Sequence, residues 1–192
     1  TNAFNEICRN KIRSVISERF PLLLRFFDLM YREQYNVVFG EHIIPCSEGV
    51  LQGDPLGPTY FSLGIHSILL SLQSQFPEFC LKYYSDDGNI LCRKSHLAHP
   101  ARISEFICSA ARLFKEAGLA IRLDKSSIYS PHFSIDESLF NHDQLLGCSD
   151  LQGFSQIRLI ATETGIIVLG SPVGSVELIR SHLLRCVSQI TS

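Results

Sequence analysis

With 192 residues, 45% hydrophobic and 19% charged side chains, the chain has ordinary globular usage and enough length for one domain with a real core, which excludes a disordered or fibrous polypeptide. A formal net charge of −2 leaves no basic surplus for phosphate contacts, which need Lys and Arg gathered on one surface. The seven cysteines, at 8, 46, 80, 92, 108, 148 and 186, form no C-x-x-C pair and are odd in number, which argues against a disulfide framework or a zinc site and for reduced thiols.

The chain starts at Thr1 rather than Met and shows no apolar signal-like segment, so the expectation is an intracellular piece of a longer polypeptide, nuclear or cytoplasmic and not secreted. Ile12, Val15, Ile16 and Phe20 share one face of a helix. Pro21 opens a second helix, through Leu24, Phe27 and Met30 to about Arg32, because the missing proline N–H costs nothing in a first turn. Tyr35 to Phe39 and His42 to Pro45 read as two short strands around a Gly40-Glu41 turn. Gly49, Gly53 and Gly57, with Pro55 and Pro58, then make a loop that cannot be helical. Its bare glycines let a nucleic-acid backbone or base pair come close, though a plain strand-to-helix connector fits the same residues. Between Asp54 and Glu78 no side chain is formally charged, a length compatible with a membrane span. Thr59, Ser62, His66, Ser67, Ser71, Gln73 and Ser74 dilute that segment and Pro58 opens it, so a helix buried on nearly all sides is the better account and no membrane is expected as a partner.

The runs Phe79 to Tyr83 and Asn89 to Cys92 flank Tyr84-Ser85-Asp86-Asp87 as the two strands of a β-hairpin, with Gly88 read as its turn glycine. Two adjacent carboxylates at a tight turn suit a hard cation, Mg²⁺ or Mn²⁺, while Asp-Asp-Gly is also plain turn chemistry with no ligand. Pro100 begins a helix with Ile103, Phe106, Ile107, Ala110, Leu113, Phe114 and Ala117 at steps of three and four, and Gly118 stops it. Leu119 to Leu123 follows as a strand. The order strand, helix, hairpin, helix, strand is that of a split βαβ, ferredoxin-like α+β unit, with its first strand expected upstream of Thr1. Pro131 to Phe154 has no clear period, and His132 and His142 read as solvent-facing. Gln156 to Ile160 and Ile166 to Leu169 read as a further hairpin around residues 161–165. Ser175 caps a last helix with Val176, Ile179, Leu183, Val187 and Ile190 on one face and Arg180 and Arg185 exposed.

The Tyr84-Ser85-Asp86-Asp87 turn, preceded by Gly49-Val50-Leu51-Gln52-Gly53-Asp54-Pro55-Leu56-Gly57-Pro58, resembles the palm of reverse transcriptases, above all those of retrotransposons without long terminal repeats. The resemblance covers most of the chain apart from 131–156. It implies a ferredoxin-like polymerase palm over 1–170, incomplete at its N-terminus, and the start of a helical thumb over 171–192. The implied activity is RNA-directed DNA polymerisation by two metal ions, with an RNA template, a DNA primer and deoxynucleoside triphosphates as partners and Mg²⁺ or Mn²⁺ as cofactor. Asp86 and Asp87 then carry catalysis and metal, and the other bridging Asp is expected two residues before Thr1, so that residues 1–192 alone are expected to be inactive. Phe4, in Asn2-Ala3-Phe4-Asn5, matches the position that packs beneath the sugar and excludes a ribose 2′-OH. Gln52, Gly53, Pro55 and Tyr84 match contacts to the template or the incoming nucleotide. Lys125 matches a lysine near the phosphates, a reasonable proton donor to the leaving pyrophosphate, and Leu169-Gly170 matches a primer-gripping turn. Gly57 stands where many members have Ser. The same residues also fit a non-catalytic, palm-like remnant of a retroelement used for nucleic-acid or protein binding.

Overall fold

In the computed structural model, which describes residues 3–93, 100–131, 158–160 and 164–190, the N-terminal pattern becomes three helices, α1 (Ala3–Glu6), α2 (Arg9–Arg19) and α3 (Pro21–Tyr31). Ile12 and Ile16 are buried as their spacing requires, but Val15 is half-buried and Phe20 lies outside the helix, exposed, where Pro21 restarts the chain. The bidentate pair of Arg13 with Asp28, at 2.8 and 3.0 Å, joins α2 to α3. The strands β1 (Tyr35–Phe39) and β2 (His42–Cys46) pair antiparallel with Phe39 opposite His42, so Gly40 and Glu41 form the expected two-residue turn.

The long helix α4 (Gly57–Gln75) buries one face only. Tyr60, Phe61, Ile65, Ile68 and Leu72 point into the core, whereas Ser62, His66 and Leu70 face outward, so burial on nearly all sides is not what the apolar composition produces. No helix among the described residues is long and apolar enough to cross a membrane. The core is ordered by rings. Phe27, Tyr31 and Tyr60 meet at centroid distances of 5.1–5.8 Å, and Phe76 and Phe79 each meet Phe106 edge-on at 5.3 and 5.2 Å. Such edge-to-face contacts add to area burial.

The strands β3 (Phe79–Tyr84) and β4 (Asp87–Cys92) form the acidic hairpin. Helix α5 (Pro100–Glu116) follows with the predicted bounds, and Gly118 ends it in a left-handed conformation, φ +79°. A Cβ on Gly118 would come within 2.7 Å of the Glu6 carbonyl oxygen, and Cys8 N–H donates to the Ala117 carbonyl at 2.8 Å, which docks this turn on the α1–α2 junction. Leu119 to Leu123 is not a strand. Leu119 N–H turns back to the Phe114 carbonyl and Leu123–Lys125 is a 3-10 turn, so the extended segment is displaced to β5 (Ser127–Tyr129).

β5 pairs in parallel with β6 (Arg158–Ile160), and β7 (Gly165–Val168) pairs antiparallel with β8 (Ser171–Gly174). The expected hairpin of 156–160 with 166–169 is therefore replaced: residues 158–160 take a distant parallel partner, and 165–168 fold on the segment after them. Ser175 caps α6 (Val176–Ile190), its Oγ accepting from Leu178 N–H at 3.2 Å, with Arg180 and Arg185 exposed as expected. Among the described residues the strands form four two-stranded sheets, and the single sheet of a split βαβ unit is not among them. His132 and His142 lie outside the described residues. The chain divides into two compact units, residues 1–93 with 106–121 and residues 94–105 with 122–192.

Gly49 has φ +72°, and a Cβ there would lie 2.3 Å from the carbonyl carbon of Asn5, whereas Gly40, at φ +61°, has nothing within 4 Å. Gly40→Ala is expected to cost about 1 kcal/mol, the backbone penalty alone, and Gly49→Ala at least about 2 kcal/mol more, because backbone must move. Urea denaturation of both variants checks this, and equal losses would show that the approach to Asn5 does not constrain the fold.

Candidate functional site

The glycine-rich loop is held in place from the N-terminal helices. Arg9 sits on the face that carries Ile12 and Ile16, where an apolar residue is the ordinary choice, and is 6% exposed. Its guanidinium donates from Nε to the Gly49 carbonyl at 2.9 Å, from Nη1 to the Cys46 carbonyl at 3.2 Å and from Nη2 to the Glu48 carbonyl at 3.0 Å. It also lies over the rings of Tyr31 and Tyr35, at 5.4 and 4.8 Å from their centroids. Gly49 N–H and Val50 N–H in turn donate to the carbonyls of Ile7 and Phe4, at 2.9 and 2.7 Å. The backbone of Phe4 and the loop are thereby joined, and the Phe4 ring stacks on Phe61 at 4.5 Å.

Beyond Val50, Leu51 to Asp54 forms a tight turn with Gln52 exposed at its second position and Gly53 at its third, φ +93° with open space around it. Positive φ at the third position is what a type II turn asks of glycine. The turn is tied at both ends by one buried phenol: Tyr31 Oη accepts from Leu51 N–H at 3.1 Å and donates to Asp54 Oδ2, while Asp54 Oδ1 accepts from Leu56 N–H at 2.9 Å. Burial pushes the Tyr31 phenol above its ordinary range, and the hydrogen bond to Asp54 adds to the shift. Pro55 is exposed beside this tie, and a Cβ on Gly57 would lie 3.1 Å from the Leu51 carbonyl oxygen.

The acidic hairpin places its carboxylates at the tip. Tyr84 pairs with Asp87, so Ser85 and Asp86 are the two turn residues, and Ser85 takes the positive φ, +54°. Gly88 is not the turn glycine. It stands in β4 opposite Tyr83, and a Cβ there would lie 2.6 Å from the Tyr83 ring. Phe79, Leu81 and Tyr83 turn toward the core, and Tyr84, on the alternate face, is 70% exposed. The Gln73 amide donates to the Phe79 carbonyl at 2.7 Å and fastens the base of β3 to α4. Asp86 and Asp87 are both exposed, and among the described residues neither is engaged by a cation or a hydrogen-bond donor. Two uncommitted hard-oxygen donors fit a divalent cation of the Mg²⁺ class. No group of three metal-binding side chains occurs among the described residues.

In the second unit Lys125 ends the 3-10 turn, exposed, beside an Asp124 whose carboxylate is taken by Arg122 at 2.8 and 2.6 Å and held below its usual range by that hydrogen bond. Leu169 and Gly170 are the turn of the β7–β8 hairpin, with φ +48° and +80°. Both values suit a type I′ turn, yet leucine is a costly residue for the first of them. Leu169 is 56% exposed. Sequence reasoning missed Arg9, Tyr31, Asp54 and Gln73. The one available signal was an arginine in register with Ile12 and Ile16.

The family model for reverse transcriptase (RNA-dependent DNA polymerase) matches residues 2–172. The chain is also similar to the retrotransposable element SLACS 132 kDa protein of Trypanosoma brucei gambiense, 28% identical over 134 residues, which is 66% of this chain and 11% of that protein. No solved structure matches.

Tyr31 keeps its proton more tightly folded than unfolded, so the folded state holds more protons at alkaline pH and stability falls as pH rises. The contribution is whole below about pH 10, the ordinary tyrosine range, and is lost above it. Tyr31→Phe is expected to lower stability at neutral pH by about 1–3 kcal/mol, because Leu51 N–H and Asp54 lose their partner, and to flatten the alkaline fall. Thermal unfolding of both proteins between pH 7 and 11 checks this, and parallel curves would remove Tyr31 from the alkaline transition.

Proposed function

This chain belongs to the reverse transcriptase family, and from that premise we propose that it forms the palm region, with the beginning of a thumb, of an RNA-directed DNA polymerase of a retrotransposon. The observation that carries the reading is the hairpin tip, where two exposed carboxylates stand together, uncommitted among the described residues, on a base fastened to the core. The substrates are an RNA template, a DNA primer and deoxynucleoside triphosphates, and the setting is nuclear or cytoplasmic. Residues 1–170 contribute to a palm of ferredoxin-like organisation in the whole protein, and the thumb begins at 171.

Asp86 is the principal ligand of Mg²⁺ or Mn²⁺ and Asp87 the weaker partner. When bound, such an ion stabilises negative charge on phosphate oxygens as a Lewis acid. The chain's own residues bind and orient. Tyr84 borders the acids on the exposed face of β3. Gln52 presents its amide to template or nucleotide, while Gly53 and Pro55 keep the neighbouring backbone low enough for a base pair to approach. Phe4 lies beneath the sugar and leaves no room for a 2′-OH. Lys125 Nζ holds the proton that the leaving pyrophosphate takes up. The Leu169-Gly170 turn, held in a costly backbone conformation, grips the primer, since such strain clusters at functional sites.

Titration of the chain with Mn²⁺ is expected to broaden the NMR resonances of Tyr84, Asp86 and Asp87 first, and Asp86→Asn is expected to abolish that pattern. Unchanged broadening in the variant would refute the metal assignment. In a polypeptide that includes these residues and extends primers, Phe4→Ala is expected to raise ribonucleotide use relative to deoxyribonucleotide use by about tenfold, equivalent to about 1.4 kcal/mol of lost discrimination. An unchanged ratio in primer-extension assays would return Phe4 to a packing role.

A further inference from the structure

The segment that carries Gln52 has no strand or helix of its own, yet its backbone polar groups are bound by side chains from far upstream. Arg9 holds the carbonyls of Cys46, Glu48 and Gly49, and the Tyr31 hydroxyl spans the turn from Leu51 N–H to the Asp54 carboxylate. Asp54 then holds Leu56 N–H with its other oxygen, one residue before α4 begins. None of these three side chains reaches outward: Arg9 and Tyr31 are buried and Asp54 is half-buried, while Gln52 between them is exposed.

We infer that Arg9, Tyr31 and Asp54 are positioning residues that hold the Gln52 turn in one conformation and so set how tightly Gln52 engages the incoming nucleotide and its template base. The identity of what Gln52 touches rests on the proposed function; the restraint itself does not. A turn of four residues with a glycine at its third position has low intrinsic rigidity, because glycine loses more conformational freedom on ordering than any other residue. A ligand binding such a turn would have to order it at the cost of affinity, and a turn ordered beforehand avoids that cost. The tie is suited to the task. One hydroxyl donates to a charged acceptor and accepts from a backbone N–H, so loss of a single oxygen releases both ends of the turn. Phenylalanine at 31 keeps the ring contacts with Phe27 and Tyr60 and removes only that oxygen.

The chain contains no tryptophan, so Gln52→Trp introduces a single fluorescent reporter at the turn. Time-resolved anisotropy and acrylamide quenching of this protein are expected to show a restrained indole. Adding Tyr31→Phe or Asp54→Asn is expected to raise quenching by about twofold or more while far-UV circular dichroism stays native, and the two together are expected to do no more than either alone. Ile68→Val, a core substitution of modest cost, is the control and is expected to leave the reporter unmoved. No change with Tyr31→Phe and Asp54→Asn, or an equal change with Ile68→Val, overturns the inference.

A second arm reads function in a primer-extending polypeptide that includes these residues. Tyr31→Phe is expected to raise the KM for deoxynucleotide about threefold to tenfold, the size of one lost hydrogen bond, with kcat little changed. It is expected to add nothing in a Gln52→Ala background. An equal rise in that background shows that Tyr31 does not act through Gln52 and sinks the inference. If Gln52→Ala itself leaves KM unchanged, the proposed role of Gln52 fails, while the reporter arm still decides whether the turn is held.

Discussion

A buried guanidinium organises the first unit. Taking the Arg9 charge out of water is costly, and among the described residues its side chain meets backbone carbonyls and aromatic faces in place of a carboxylate. Four carbonyls, those of Glu33, Cys46, Glu48 and Gly49, accept along one planar fork, a pattern that a lysine ammonium does not reproduce. The exchange is mutual. The carbonyls of Glu48 and Gly49 belong to a chain that has left its strand, and Arg9 satisfies them outside any sheet or helix, while its bond to the Cys46 carbonyl ties it to the end of β2. From that point the path of residues 46–50 is set. Their N–H groups find Ile7 and Phe4, so α1 is fastened to the loop, and Gly49 fits only because it has no Cβ.

The acidic hairpin follows a different rule, a fixed base and a free tip. Alternation sends Phe79, Leu81 and Tyr83 inward, Gln73 occupies the Phe79 carbonyl, and Tyr83 fills the space that Gly88 leaves open. The tip then carries Asp86 and Asp87 outward, with no competing cation among the described residues. A carboxylate already paired with arginine would have to give up that partner before holding a metal. Arg122 shows the contrast, since it takes both oxygens of Asp124.

In the second unit the informative feature is strain. Val168 pairs with Ser171, which forces Leu169 and Gly170 into the two left-handed positions of a short hairpin turn. Leucine pays about 1 kcal/mol or more for that conformation. The proposed primer contact gives the exposed leucine a reason to be there that packing does not, since more than half of its surface faces solvent.

Local signals were enough for the elements whose boundaries are punctuated. Pro21, the Gly40-Glu41 turn, the hairpin around Ser85 and Asp86, the Pro100 to Gly118 helix and the Ser175 cap all follow from residues within a turn or two of the boundary. The two carboxylates at the hairpin tip were legible for the same reason, because a tight turn and its neighbours lie together in sequence. What needed the tertiary structure was every feature whose partner is distant. Residues 158–160 choose a parallel partner at 127–129, which no local pattern encodes, and the 119–123 segment lacks a ladder partner among the described residues despite its apolar character. Gly88 read as a turn glycine until Tyr83 showed that it is needed for space rather than for φ. Arg9 and Gly49 are 40 positions apart, and Tyr31 and Asp54 are 23 apart. The sequence determined where the chain turns and which faces are apolar; which polar group satisfies which across those separations was decided only on folding, when burial made every unpaired donor and acceptor costly.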